Sequence, residues 1–140
     1  MGDEYIKTLS SEEKLVFIKL FCALIKSDNK VDNDEVDFLK QIAKRYEVDN
    51  NTVVQIIKNV SNIDHIAEAR KISDRSHALE LLKELCFLAN IDDSLQDDEI
   101  NMIIAIARAM NIEDEKLILI NRFVLDTVIL EKTGRTILEK

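Results

Sequence analysis

The sequence predicts an all-α protein, a compact bundle of about seven helices. The chain has no proline and only two glycines in 140 residues, whereas strands and tight turns usually depend on both. Apolar residues recur every three or four positions through most of the chain, which is the period of a helix. Hydrophobic residues make up 46 % and charged residues 33 %, a balance typical of a soluble globular protein. At this length we expect one domain with a substantial core.

The first predicted helix, about 12–27, is apolar on nearly every side and should therefore be central and buried. Ser10 or Ser11 can cap it after a polar lead-in. A second helix is predicted over about 33–46, and its apolar residues recur at helical spacing. Asp49 or Asn50 then caps a short third helix.

The second half of the chain follows the same plan after a weaker bridging helix at about 63–71. A fifth helix is predicted over about 75–91 and a sixth over about 97–110. A seventh begins at Glu113 or Asp114, and Gly134 is expected to end it or break it.

The chain contains an internal repeat. Residues 13–60 align with 77–124 without a gap, and eleven of the aligned positions are identical, three of them acids. Amphipathic helices share apolar positions by chance, but shared acids are not expected. We therefore predict two tandem three-helix repeats in one domain: repeat 1 at about 12–60, a bridge at 61–74, repeat 2 at about 75–124 and a C-terminal helix or tail at 125–140.

The negative charge lies at two equivalent places between apolar helices. Residues 28–37 contain five acids and one lysine, and residues 92–99 contain five acids and no base, against a net charge of −8 for the whole chain. An acidic protein is a poor ligand for nucleic acid or an anionic membrane. The acids of these two segments are therefore the candidate site.

Helix periodicity selects four of these acids, because residues three, four or seven apart share a helix face. Glu35 begins an apolar face in its helix, and Glu99 does the same in the second repeat. Asp28 and Asp92 each extend the apolar face of the preceding helix. The leading candidate ligands are therefore these two Asp/Glu pairs, and the second choices are Asp32, Asp34 and Asp98.

Helix capping is the simplest explanation for most acids in the two segments, because an acid in a first turn stabilises a helix by about 0.3–1 kcal/mol. It explains Asp28 and Asp92 less well, since an acid at a helix C-terminus opposes the helix dipole. Two carboxylates about 5 Å apart also repel by roughly 3 kcal/mol at an effective dielectric near 20.

A cation would offset both effects, and three sources remain open. A divalent ion with oxygen ligands, Ca²⁺ or Mg²⁺, is one. A basic group on a protein partner is the second, and a local lysine such as Lys26 or Lys30 is the third. An EF-hand is excluded: counting from Asp28, the sixth residue is Asn33 instead of glycine and the twelfth is Leu39 instead of glutamate.

The segment from Ile25 to Glu35 resembles the signature of the tellurite-resistance protein TerB family. That signature is an apolar helix, then Asp-Gly-x-Val/Ile, then a glutamate seven residues after the aspartate. Residues 88–99 repeat it, and the resemblance covers roughly 12–124. Asn29 and Asp93 replace the usual glycine, and both residue types tolerate left-handed backbone.

The resemblance implies an all-helical bundle with a clustered acidic surface that is proposed to bind metal, and a link to tellurite or stress resistance. The same domain type is the N-terminal domain of membrane-anchored DnaJ-like co-chaperones. Carried over, Asp28 with Glu35 and Asp92 with Glu99 would be the paired acids. Gln96 stands where the first copy has Asp32, so the two sites differ in detail.

Other features argue against catalysis and secretion. The sequence has no catalytic Cys/His pairing and no glycine-rich phosphate loop, and we expect His65 and His77 to be solvated. Cys22 and Cys86 are expected to be buried, reduced thiols. The N-terminus lacks signal-peptide character and no apolar run could span a bilayer, so we expect a cytoplasmic protein.

The functional expectation is a non-enzymatic module whose partner is a divalent cation and which can assemble with other proteins. The alternative is a helical interaction scaffold whose acidic surface contacts a basic partner without metal. A metal-dependent enzyme is the third option, because paired carboxylates can act as acid and base or hold a catalytic ion.

Overall fold

The computed structural model describes residues 4–26, 33–90 and 97–138, with the backbone alone for residues 33–35. Within these ranges the chain forms seven α-helices and no strand, so the predicted all-α bundle is confirmed. The helices are α1 (Ser11–Lys26), α2 (Asn33–Arg45), α3 (Asn50–Lys58), α4 (His65–Ala69), α5 (Arg75–Asn90), α6 (Asp97–Ala109) and α7 (Asp114–Leu138). Short 3₁₀ helices cover Glu4–Thr8 and Val60–Asn62.

The repeat is visible in the helix boundaries themselves. Helix α5 begins and ends 64 residues after α1, and α6 begins and ends 64 residues after α2, which is the offset of the repeat. Helix α7 likewise begins 64 residues after α3. The copies diverge at the end of the third helix, because α3 stops at Lys58 whereas α7 continues to Leu138.

Side-chain caps explain why two of the helices begin where they do. The Ser10 hydroxyl accepts a hydrogen bond from the Glu13 backbone N–H at 3.1 Å, and the Ser10 N–H donates to Glu13 Oε1 at 2.9 Å. This reciprocal pair is a capping box. Asp49 caps α3 by accepting from the Thr52 N–H at 2.8 Å. The predicted caps at these two places are therefore confirmed.

Helices α2 and α6 end in the same way. Glu47 and Asn111 have φ values of 60° and 61°, in the left-handed region. The N–H of the following residue, Val48 or Ile112, then bonds a carbonyl five positions back at 2.9 Å in both copies. This is a Schellman motif, in which glycine usually occupies the left-handed position.

We expect Glu47→Gly to stabilise the protein by up to about 1 kcal/mol, because glycine avoids the strain of a left-handed side chain. Asn111→Gly should change the free energy of unfolding much less, since asparagine already tolerates this conformation. Urea denaturation of the two variants measures the difference. Equal gains at both positions would contradict this explanation.

The core is built around α1 and α5. In α1, eight residues are buried, and the core continues through the α2 and α6 stripes to Leu117 and Val124 of α7. Helix α1 contacts α2, α3, α4 and α5, and α5 contacts α6 and α7. The predicted central place of the first helix is therefore confirmed.

Three local predictions were wrong. The N-terminal segment is not only polar, because Ile6 and Leu9 are buried beside the 3₁₀ helix. His77 is only 8 % exposed, since the first turn of α5 packs against the first turn of α1. Helix α7 runs through Gly134, because one helical glycine costs only about 0.5–1 kcal/mol.

Both cysteines are buried and unpaired, as predicted. Burial raises the pKa of Cys22 and of Cys86 to about 12, so both thiols stay protonated and unreactive.

Candidate metal site

The two acidic segments connect equivalent helices. One joins the carboxyl end of α1 to the amino end of α2, and the other joins α5 to α6. Asp28, Asp32 and Asp92 lie in these linkers, outside the residues that the structure describes. The helices that flank the two linkers occupy equivalent positions of the repeat.

Asp34 and Glu35 belong to the first turn of α2, where the backbone alone is described. Glu35 precedes Leu39, Ile42 and Tyr46 on one helix face, and all three of these side chains are buried. The face that the glutamate begins is therefore the core face of α2.

Asp98 and Glu99 lie in the first turn of α6. Asp98 is exposed, whereas Glu99 is half-buried at the start of the face that carries the buried Ile103 and Ile106. The partial burial of Glu99 agrees with its helix phase. Of the seven predicted ligands, these two are the ones whose side chains the structure describes.

The helix ends around the second linker set its local electrostatics. The carboxyl end of a helix carries partial negative charge and the amino end partial positive charge, so acids in the first turn of α6 are stabilised without a metal. A cation is favoured instead beside the end of α5. Asn90 fixes that end, because its amide donates to the Cys86 carbonyl at 2.8 Å and to Asn121 Oδ1 at 3.1 Å.

The two linkers differ in nearby positive charge. Lys26 ends α1 and Lys30 follows in the first linker, but the equivalent residues in the second copy are Asn90 and Ser94. A lysine at these positions can therefore neutralise acids in the first copy alone. The second linker is the stronger candidate for an external cation.

Within the described ranges, no group of three or more His, Cys, Asp or Glu side chains is arranged to hold a metal ion. The first turn of α6 contributes Asp97, Asp98 and Glu99, which are consecutive and therefore lie on different faces of the helix. A complete ligand set at this place would therefore need acids from the adjoining linker.

The structure also contains a polar network that was not predicted from the sequence. Tyr5 Oη donates to Glu84 Oε1 at 2.9 Å, so the 2.6 Å contact with Tyr46 is donated by the Tyr46 hydroxyl. Burial, and then the Tyr46 and Glu84 neighbours, raise the pKa of Tyr5 well above its usual value. The Tyr5 hydroxyl therefore stays neutral. It attaches the 3₁₀ helix to the end of α2 and to α5, and it is not a reactive group.

A second polar cluster joins the two repeats. His77 Nδ1 donates to Glu13 Oε2 at 2.8 Å, and His77 Nε2 lies 2.8 Å from the Thr8 hydroxyl. Glu13 and His77 are equivalent positions of the two copies, so the repeat could have indicated that they meet. The periodicity of one helix did not predict this contact, because the two residues belong to different helices, one in each copy.

Comparison with known proteins identifies the family. The family model described as tellurite resistance protein TerB matches residues 14–122, from α1 into α7 and including both acidic linkers. Searches of the curated proteins and of the solved structures gave no match. None of the helices in the described ranges is long and apolar enough to cross a membrane. The all-α fold, the duplicated acidic linkers and the family match agree, and the chain belongs to the tellurite resistance protein TerB family.

Proposed function

We propose that this TerB-family protein is a non-enzymatic module that binds one divalent cation, Ca²⁺ or Mg²⁺, at each acidic linker. The observation that supports this most is the repetition of one unit, an apolar helix, an acidic linker and a second helix, with matching helix boundaries in the two copies. Asp28 with Glu35, and Asp92 with Glu99, are the proposed ligand pairs.

The chemistry of the segments suits a hard cation. Carboxylates and carbonyl oxygens are the ligands that Ca²⁺ and Mg²⁺ prefer. The carboxyl ends of α1 and α5 add partial negative charge beside each linker. The second linker, which lacks the two lysines of the first, should bind more tightly.

Cation titration of the purified protein tests the proposal. We expect Ca²⁺ or Mg²⁺ to raise the melting temperature, because a ligand at 100 times its Kd stabilises the folded state by about 2.7 kcal/mol. Calorimetry should give two ions per chain, and either Asp28→Asn/Glu35→Gln or Asp92→Asn/Glu99→Gln should leave one. Glu12→Gln and Glu115→Gln, at exposed first-turn acids of α1 and α7, are the matched controls.

The absence of any shift at millimolar ion would contradict metal binding. A basic-partner scaffold predicts a different pattern, in which a poly-lysine peptide binds in a salt-sensitive way whether or not metal is present. Measuring both probes on the same four variants separates the two functions. In the metal-binding case the acid variants lose the cation signal, and in the scaffold case they lose metal-independent binding of poly-lysine.

A role in tellurite or stress resistance is a further part of the proposal and depends on the family alone. We expect expression of the chain to raise the tellurite tolerance of a sensitive host. The Asp92→Asn/Glu99→Gln variant should lose that protection at equal expression if the cation site is responsible.

A further inference from the structure

Each repeat contains a groove between its first and third helices, and the two grooves are equivalent. In the first copy, α1 and α3 contribute Leu15, Lys19 and Ile56. In the second copy, α5 and α7 contribute Leu79, Lys83 and Ile120, which are the aligned positions of the repeat. The two grooves can therefore be compared residue by residue.

In the first copy, the bridge supplies the far wall of the groove. The chain turns after α3 through the 3₁₀ helix Val60–Asn62, and Ile63 and Glu68 then line the groove. Ile63 is half-buried, and Glu68 Oε1 lies 3.7 Å from Lys19 Nζ. An apolar side chain and a carboxylate thus complete this groove.

In the second copy, the chain does not turn, because α7 continues as a helix to Leu138. In the ranges that the structure describes, the residues that line this groove all come from α5 and α7. The wall that Ile63 and Glu68 form in the first copy has no counterpart among them.

The lining residues differ in the direction expected for a surface that binds another molecule. Gln55 and Asn59 of the first copy are replaced by Leu119 and Phe123 in the second. Leu119 is 59 % exposed and Phe123 is 58 % exposed, one helical turn apart on the same face. Together with the groove, these two side chains give a partner an apolar surface to bind.

Basic residues border this apolar surface. Lys83, the equivalent of Lys19, and Lys116 both line the groove. Lys83 Nζ lies 2.7 Å from Glu80 Oε2, three residues earlier on the same helix. Glu80 lines the groove as well, so its charged residues are two lysines and one glutamate, a net charge of +1 on a chain that is acidic as a whole.

We infer that the α5–α7 groove binds a short acidic segment of a partner protein, which places an apolar side chain against Leu119 and Phe123 and a carboxylate beside Lys83. The partner segment would complete the second copy as the bridge completes the first. The complementary charge on the rim and the internal example of Ile63 with Glu68 select this occupant.

A peptide with the sequence of residues 59–69 of this chain is the probe, because it contains the turn, Ile63 and Glu68, and it is acidic, with Asp64 and Glu68 and no lysine or arginine. Titrated into the full-length protein and followed by NMR, it should shift the amides around Leu119 and Phe123. The Leu119→Gln/Phe123→Asn variant should bind at least about tenfold more weakly, since it removes two apolar contacts. It should fold, because it carries the residues of the first copy at exposed positions.

Two further variants test specificity. Ile129→Asn/Leu130→Gln removes comparable exposed apolar side chains elsewhere on α7 and should leave peptide binding unchanged. Lys83→Gln and a Glu68→Gln peptide should each weaken binding, and their combination should cost less than the two effects together, as for residues in contact. Asp92→Asn/Glu99→Gln should bind the peptide normally, which separates this surface from the proposed metal site.

Three results would overturn the inference. The first is no amide shift in the groove at millimolar peptide. The second is equal binding by the Leu119→Gln/Phe123→Asn variant. The third is concentration-dependent self-association, seen in analytical ultracentrifugation and abolished by that variant, because a second copy of the chain would then cover the groove.

Discussion

Tyr46→Ala is expected to lower the free energy of unfolding by about 3–5 kcal/mol, the range for removing a large buried aromatic side chain. Tyr46 is fully buried and packs against the rings of Phe17, Phe21 and Tyr5 at centroid distances of 5.8, 5.9 and 6.4 Å. Its hydroxyl also bonds Tyr5, so one side chain links α1, α2 and the N-terminal 3₁₀ helix. Urea denaturation monitored by circular dichroism measures the loss.

Two comparisons separate packing from hydrogen bonding in this cluster. Tyr46→Phe keeps the ring and should cost only about 0.5–1.5 kcal/mol, the net value of one hydrogen bond. Met110 occupies the equivalent position in the second copy and is 8 % exposed, so Met110→Ala should cost about 2–5 kcal/mol without loss of an aromatic cluster. A Tyr46→Phe loss as large as that of Tyr46→Ala would contradict the packing explanation.

Glu13→Gln is expected to destabilise the protein by about 1–2 kcal/mol at neutral pH, because it removes the charge from a hydrogen bond to His77. The substitution keeps the shape of the side chain, and glutamine also serves in a capping box with Ser10. Equilibrium unfolding of both proteins across pH 3–8 is the measurement.

The pH dependence of this difference has a defined sign. Burial acts to raise the pKa of Glu13, but the Ser10 N–H and His77 outweigh it and hold that pKa below its usual value of 4.5. A carboxyl whose pKa is lowered by folding stabilises the protein above the unfolded value, and this contribution is lost as the pH falls through the folded value. The difference between wild type and Glu13→Gln should therefore be full above about pH 5 and shrink below pH 4.5.

Glu12→Gln is the matched control, because Glu12 is the adjacent residue and is exposed. It should destabilise the protein less than Glu13→Gln does at neutral pH. A Glu13→Gln effect that is constant from pH 3 to pH 8 would show that the lost contact is packing and not charge.

Helix positions were predictable because their causes are local. Apolar spacing and the Ser10 and Asp49 caps act within a few residues. The repeat then transfers the boundaries from one copy to the other. The continuation of α7 was not predictable from Gly134. Glycine often ends a helix, but one glycine within a helix of 25 residues costs only about 1 kcal/mol relative to alanine.

The contacts between copies were harder to predict. His77 has polar neighbours in sequence, which suggested a solvated side chain, but its environment is set by Glu13 and Thr8, which are more than 60 residues away in sequence. For the candidate site, helix phase located Glu99 at the edge of the core. Ligand geometry depends on how linker acids converge, and residue spacing alone does not determine that.

The contact between Glu13 and His77 bears on the origin of a duplicated chain. In a symmetric homodimer, a residue beside the two-fold axis faces its own copy, so a glutamate there would face a second glutamate and be repelled. Joining both units in one polypeptide removes that constraint, because each can change separately. Here one of the two equivalent positions holds a glutamate and the other a histidine, and the two side chains form a hydrogen bond. Two identical subunits could not place two different residues at this one position.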